Sequence, residues 1–246
     1  AGRLPSNVKY LSLHGLSELS GIEVSDDAVT FGAMTTYRDV RANPVVQAEL
    51  PMLVQAAKET GAIAIQSRGT LGGNIVNASP AADTPPALLA YGASIELRSA
   101  SGARWVDYAA FHQGYKVMDR RPDELLTRVR VPRVPYARVH VYEKVGTRSY
   151  QAISKVCLAG VGRVVDGRVA DVRIGLGAVA PTVLLARATM AALNGQAADP
   201  ALGAKAFAAM GQDVKPIDDI RSTADYRGRV AQNLAADFAR RVVAGS

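Results

Sequence analysis

The sequence predicts an α+β protein in two parts, and three observations carry that prediction. Apolar residues alternate with period two in short stretches along the chain, and Asp166-Gly167 sits between two such stretches as a hairpin signal. Helical stretches open at Pro44 and Pro51, and the chain closes on Val230, Leu234, Phe238 and Val242, four apart on one helix face. Arg130-Val131-Pro132-Arg133-Val134-Pro135 interrupts any regular element near the middle, which divides the chain into residues 1–133 and 134–246.

The elements follow in order. Val8 and Tyr10 alternate with polar neighbours before Leu11 and Leu13 shift the phase, so any first strand is short. Ile22 and Val24 alternate cleanly, and Asp26-Asp27 separates them from Val29, Phe31 and Ala33. Asn43 is placed as an N-cap with Pro44 at the first helical position. Pro51 opens a second helix with Met52, Leu53, Ala56 and Ala57 on one face and Gly61 as its stop. A short apolar run, Ala62 to Ile65, leads into a glycine-rich loop. Pro85 to Tyr91 reads as a helix ended by Gly92. Ile95 and Leu97 lie in a strand that turns at Ala100-Ser101-Gly102 and returns through Trp105-Val106, and Leu125 to Val131 is a strand closed by Pro132. In the second part Val139, Val141 and Glu143 alternate, and Lys155–Val165 and Arg168–Leu176 form the hairpin. Leu184–Leu193 and the stretch around Phe207–Met210 read as helices before the final amphipathic one.

Composition narrows the function classes. With 246 residues, 48% hydrophobic and 21% charged, the chain has the make-up of an ordinary globular protein with a real core. No apolar run approaches the roughly 20 residues of a membrane span. The net charge of +7 raises nucleic-acid binding, but the arginines are scattered and aromatics make up only 6%. A solvated basic surface that suits a negatively charged partner subunit is the better reading. Ala1-Gly2-Arg3-Leu4-Pro5 has neither an initiator Met nor a signal-peptide pattern, so the sequence reads as the middle of something longer. Cys157 is the only cysteine, which excludes an internal disulfide and a cysteine-held cluster within one chain, and it reads as a small buried hydrophobe. A cytoplasmic location is expected. His14, His112 and His140 have no metal-ligand spacing and are expected to be structural or at the surface.

The segment that carries chemistry runs from Arg68 to Pro86. Gly69, Gly72 and Gly73 remove Cβ atoms at three places, which permits positive φ and close approach of backbone N–H groups to an anion. Thr70, Asn74, Asn77 and Ser79 add neutral donors for phosphate or ribityl oxygens, and Asp83 is able to accept from a sugar hydroxyl. Blander readings stand beside these: Gly72-Gly73 as a tight turn, Asp83 as the N-cap of the helix at Pro85-Pro86. Neither the phosphate-loop nor the Rossmann glycine pattern is present.

Thr70-Leu71-Gly72-Gly73-Asn74, followed by Ala78-Ser79-Pro80-Ala81-Ala82-Asp83, resembles the second flavin motif of the FAD subunits of the xanthine dehydrogenase and carbon monoxide dehydrogenase family. Phe31-Gly32-Ala33-Met34-Thr35-Thr36, Tyr142 to Arg148, Gly175 to Thr182 and Asp219 to Arg227 are similar to further stretches of the same family. The resemblance implies a two-part FAD-binding domain of the PCMH/vanillyl-alcohol-oxidase type, short at its start, followed by a small antiparallel sheet packed with helices. It implies that Thr70, Gly72, Gly73 and Asn74 cradle the FAD pyrophosphate with Asn77 nearby. It also implies that Asp83 binds a cofactor hydroxyl, that Leu126 packs on the isoalloxazine ring, and that Lys144, or Glu143 beside it, sits near that ring. The family's first flavin motif, an Ala-Gly-Gly-Thr turn, is missing.

By the same resemblance the chain is an electron relay in a hetero-oligomer. A partner subunit would carry the molybdopterin cofactor and another the [2Fe–2S] clusters, and electrons would leave FAD for NAD⁺, O₂ or another acceptor. Xanthine dehydrogenase is the first expectation for the type, with aldehydes, carbon monoxide and N-heterocycles as other substrates. No catalytic acid, base or nucleophile and no metal site is expected on this chain. Two other readings stay open: a cofactor-free scaffold subunit, and a stand-alone flavin oxidase.

Overall fold

The computed structural model describes residues 9–148 and 151–245. Val8 and the Ala1–Pro5 segment lie outside the described residues. Residues 9–16 form no strand: Tyr10 and Leu11 are exposed, and the phase shift at Leu11 and Leu13 leaves no face to bury. After a single 3₁₀ turn at Ser17–Leu19, β1 (Ile22–Val24) pairs antiparallel with β2 (Ala28–Gly32).

Five short helices follow: α1 (Tyr37–Ala42), α2 (Pro44–Glu49), α3 (Pro51–Glu59), α4 (Ile63–Gln66) and α5 (Leu71–Val76). Their boundaries are chemically marked. Thr36 and Asp39 close a capping box on α1, and the Asn43 side chain accepts from Val45 and Val46 N–H at the start of α2. Met52, Leu53, Ala56 and Ala57 are all buried, as their spacing on α3 requires. The helix α6 (Thr84–Tyr91) is buried at every one of its residues and ends at Gly92 in the left-handed region. A helix apolar on all sides must be covered on all sides.

What covers α6 explains the architecture. On one side lies a five-stranded sheet in the order β1-β2-β7-β3-β4, where β3 is Ser94–Ser99, β4 is Gly102–Asp107 and β7 is Leu125–Pro132. Between β4 and β7 the chain makes α7 (Tyr108–Phe111) and the small hairpin β5 (His112–Gly114) and β6 (Val117–Met118). On the other side lies a four-stranded antiparallel sheet, β11-β10-β9-β8, with β8 at Val139–Val145, β9 at Val156–Val165, β10 at Arg168–Gly177 and β11 at Leu184–Leu185. At Gly175 a Cβ would lie 2.1 Å from the Pro86 carbonyl oxygen, so the start of α6 rests directly on β10 backbone. Ala159, Val161 and Val183 accordingly belong to the same apolar cluster as Leu88, Val129 and Ile95.

The predicted hairpin is present: Asp166 and Gly167 both have positive φ, 49° and 71°, and Val165 pairs with Arg168 across them. The outer face of this sheet packs on α8 (Arg187–Leu193), α9 (Leu202–Asp213) and α10 (Ala224–Ala244). Two expectations are corrected here. Leu184 and Leu185 pair with β10 instead of starting a helix, because they complete the sheet edge before Ala186 turns the chain. On α10 the fully buried stripe is Ala231, Ala235, Phe238, Ala239 and Val242, with Val230 and Leu234 on its flank, since small alanines let the helix approach the sheet closely.

No described helix is long and apolar enough to cross a membrane.

A charge cluster fastens β4 to the start of β7. Arg104 donates to Glu124 through Nε at 2.7 Å and Nη2 at 3.0 Å, and to Asp119 at 3.0 Å. Arg121 N–H also donates to Glu124, and together these hold its carboxyl at about 2, below the ordinary 4.5. The native state therefore binds the Glu124 proton less readily than the unfolded chain. Its stabilising contribution is complete above about pH 4.5 and fades as pH falls towards about 2. The expected outcome for Glu124→Gln is a lower Tm near neutral pH and a flatter decline of Tm across that acid window. Parallel Tm–pH curves for the two proteins would remove Glu124 from the account.

Candidate functional site

The glycine-rich segment is a capped short helix with little loop character. The Thr70 side chain accepts from Gly73 N–H at 3.1 Å, and Asn77 ends α5. Gly72 and Gly73 are not among the positive-φ residues, which corrects both the positive-φ and the tight-turn readings. The reason for Gly72 is space. A Cβ there would lie 2.7 Å from the Ala33 carbonyl oxygen and from its Cβ, because Gly72 N–H donates to that carbonyl at 2.9 Å.

Helical geometry then sorts the expected cofactor residues. Gly72 faces inward, while Thr70, Gly73, Asn74 and Asn77 fall at positions i, i+3, i+4 and i+7 on one outward stripe. Gly73 and Asn77 are exposed, and Thr70 and Asn74 are half-buried. Thr84 Oγ1 donates to Asn74 Oδ1 at 2.6 Å, which fixes the amide and leaves its NH₂ group as a donor. The four N–H groups at the start of α5 are spent internally, on Thr35, Ala33 and Thr70. The stripe thus offers neutral side-chain donors and a bare backbone surface at Gly73, with no carboxylate on it. That chemistry suits phosphate and hydroxyl oxygens. It is an open face, with Gly73 and Asn77 both exposed.

Asp83 precedes α6 at the N-cap position but makes no capping hydrogen bond, which corrects that alternative. Its carboxylate turns to the second half of the chain. Lys144 Nζ donates to Oδ2 at 2.9 Å and to the Glu59 carbonyl at 3.2 Å, Ser154 donates to Oδ1 at 2.9 Å, and Thr60 Oγ1 lies 3.4 Å from Oδ2. Tyr142 O–H donates to the Asp83 carbonyl at 3.1 Å. Lys144 is only 4% exposed, so it is an internal ion-pair partner instead of a solvated lysine. Burial pushes the Asp83 carboxyl upward, opposed by Lys144 and the hydroxyls, and it also raises Glu59. Asp83 and Lys144 are therefore brought together, against each other.

Leu126, on β7, is buried in the core opposite Leu97, and its neighbour Leu125 is the exposed one. Cys157 is fully buried beside Tyr142, and burial pushes its thiol well up, away from the reactive thiolate. Among the described residues no group of three His, Cys, Asp or Glu side chains is placed to hold a metal ion. Sequence reasoning missed Thr60, Tyr142 and Ser154. Tyr142 was accessible, because it lies two residues from Lys144 on the same strand face; Thr60 and Ser154 carried no local signal.

Comparison with known proteins matches both halves. Residues 3–134 match the pattern described as FAD binding domain in molybdopterin dehydrogenase, and residues 141–242 match the CO dehydrogenase flavoprotein C-terminal domain. The carbon monoxide dehydrogenase medium chain of Hydrogenophaga pseudoflava is 32% identical over 225 residues, 91% of this chain and 78% of that one. The glyceraldehyde dehydrogenase medium chain of Sulfolobus acidocaldarius is 30% identical over 225 residues, 91% and 79% of the two chains. A solved structure of carbon monoxide dehydrogenase from Hydrogenophaga pseudoflava superposes with a TM-score of 0.88 at 32% identity, covering 92% of this chain and 78% of that chain.

Two substitutions test the geometry. Lys144→Met leaves a buried carboxylate unpaired and is expected to cost about 3–5 kcal/mol, with part recovered in the Asp83→Asn/Lys144→Met double variant. A loss under about 1 kcal/mol in denaturant unfolding would show a pair too hydrated to matter. Gly72→Ala is expected to lose about 1–3 kcal/mol by overpacking against Ala33, and Gly73→Ala less. Equal losses would contradict the inward orientation of Gly72.

Proposed function

The chain belongs to the FAD-binding medium subunits of the molybdenum hydroxylase family, and from that premise we propose that it is the flavin relay of a hetero-oligomeric complex. It is an FAD-dependent oxidoreductase subunit, and the proposal concerns how its residues serve that role. When bound, FAD takes up electrons singly and releases them as a pair. On this reading the outward stripe of α5 holds the oxygen-rich part of the cofactor, and this is the observation that carries the proposal. Thr70, Asn74 and Asn77 supply donors, while Gly73 admits close approach of a phosphate oxygen. Gly72 serves indirectly, by letting α5 seat against Ala33. Leu126, buried opposite Leu97, serves the ring only indirectly on this reading, by fixing the start of β7 in the core. The Asp83–Lys144 pair anchors the segment behind the stripe and keeps a carboxylate charge away from the phosphates; its Tyr142, Ser154 and Thr60 contacts hold that orientation.

No side chain of this chain is assigned an acid, base or nucleophile role. The proposed partners are a molybdopterin-bearing subunit, which would select the substrate, and a [2Fe–2S] subunit, which would deliver electrons for transfer to NAD⁺ or another acceptor. Relatives named for carbon monoxide and for glyceraldehyde match this chain about equally. That favours a shared electron-handling role here, with xanthine-type, aldehyde and carbon monoxide chemistry distinguished on the partner.

The test is flavin release from the natively purified complex. One FAD per copy of this chain is expected, and Asn77→Ala, an exposed change, should weaken FAD retention by about 3–10-fold, the worth of one hydrogen bond. A complex that assembles without flavin would overturn the relay and leave a scaffold subunit.

A further inference from the structure

Outside the α5 stripe, a second set of unspent donors lies where the two halves meet. Arginines that leave solvent in this fold have acceptors: Arg133 on Glu49, Arg163 on Asp171, Arg173 on the Leu89 and Ala90 carbonyls, Arg227 on Asp219. Arg41 and Arg104 are likewise bonded. Arg138 is the exception. It is half-buried, its Nε is sealed from solvent without an acceptor, and it makes no hydrogen bond or ion pair among the described residues. Its guanidinium carbon lies 5.5 Å from the centroid of the Tyr91 ring, a contact that uses the cation's face and leaves its N–H edge free. Burial lowers the Arg138 pKa, as expected for a cation short of counter-charge.

Arg138 lines a cavity of about 300 Å³ together with Glu49, Leu50, Arg133, Tyr136 and His140. The carboxylate in its wall is already spent, because Glu49 accepts from Arg133 through both oxygens, at 2.6 and 2.8 Å. Asp171, the other acid that Arg138 feels, accepts from Arg163 at 2.6 Å. Met52 N–H donates to the Tyr91 oxygen at 3.1 Å, and that hydroxyl lies 3.1 Å from His140 Nδ1; in the tautomer in which Tyr91 donates to Nδ1, the ring carries its own proton on Nε2. The cavity wall thus contains one uncompensated guanidinium, one neutral imidazole N–H and no free carboxylate.

We propose that this cavity is a binding site for a phosphate-type oxyanion, gripped by the Arg138 guanidinium and completed by His140 Nε2–H. A guanidinium edge matches two oxygens of such an anion. A cavity of about 300 Å³ has room for phosphate or a small phosphate monoester. The site is distinct from the cofactor face. His140 and Lys144 are four residues apart on β8, about 13 Å along the strand. An occupant would bridge α2, the end of β7 and the entry to β8, and so would stabilise the junction by mass action.

The test is calorimetric titration of the FAD-loaded complex with inorganic phosphate, and separately with glycerol phosphate, at ionic strength held constant with chloride. Saturable binding of one anion per chain is expected. Arg138→Gln should weaken it at least about tenfold, as loss of a charged hydrogen-bond donor does, while the exposed Arg187→Gln leaves it unchanged. Tighter binding of the monoester assigns the site to a phosphorylated metabolite, and equal or weaker binding assigns it to inorganic phosphate. The wild-type protein gives a check that needs no variant to fold: phosphate should slow phenylglyoxal labelling of Arg138, read by peptide mass spectrometry. Unsaturable heats, equal affinity in Arg138→Gln, or labelling indifferent to phosphate would overturn the site.

Discussion

The inner face of β8 is the constraint on which the arrangement of this molecule depends. His140, Tyr142 and Lys144 alternate along the strand, and each reaches a group in the first half of the chain: the Tyr91 hydroxyl, the Asp83 carbonyl and the Asp83 carboxylate. On the opposite face Val141 packs into the apolar core of the other layer with Val139 and Val145 beside it, and Glu143 pairs with Arg241. A shift of one residue would place Lys144 among apolar side chains and leave Asp83 as a buried, unpaired charge. Such a charge costs several kcal/mol, far more than a strand gains by slipping. The register of β8 and the docking of the two halves are therefore a single decision.

That decision propagates to the proposed cofactor face through a short stretch of backbone. Asp83 opens α6, which is buried on every side and seated on Gly175, and α5 lies only a few residues upstream. The intervening turn is pinned from the second half as well, since Ala178 N–H donates to the Pro80 carbonyl at 2.7 Å. Thr84, the first residue of α6, holds the Asn74 amide on α5. The outward stripe of α5 is thus positioned by buried polar contacts that cross the whole molecule, although its own residues sit near solvent. Such contacts hold the segment in place from behind, and they explain why Asp83 points inward while Thr70, Asn74 and Asn77 lie on the outward stripe.

Much of the secondary structure was legible because its signals are local. Asn43-Pro44, Asp166-Gly167 and the helix-ending Gly92 each satisfy a backbone requirement within two or three residues. The identity of the flavin-like segment was legible for a related reason: Thr70 to Asn74 is a dense run of residue types that few other tasks require together. Its conformation was not. Glycine pairs are poor helix formers in isolation, and only the Thr70 cap and the close seat on Ala33 make a helix of α5. Leu184-Leu185 misled for the opposite reason, since two leucines carry no preference that outweighs an available sheet edge.

The sequence by itself determined the class of fold, the position of most elements and the family resemblance, because each of these is written in neighbouring residues. Only the tertiary structure decided what the charged residues do. Asp83 and Lys144 are 61 positions apart, as Tyr91 and His140 are 49 apart, and no local pattern encodes which distant partner a buried charge or ring will meet. Arg138 illustrates the same limit from the other side: in the sequence it is one arginine among many, and packing alone leaves it half-buried and without an acceptor among the described residues. Partner choice across such distances is set by how whole layers pack, and that information exists only once the chain has folded.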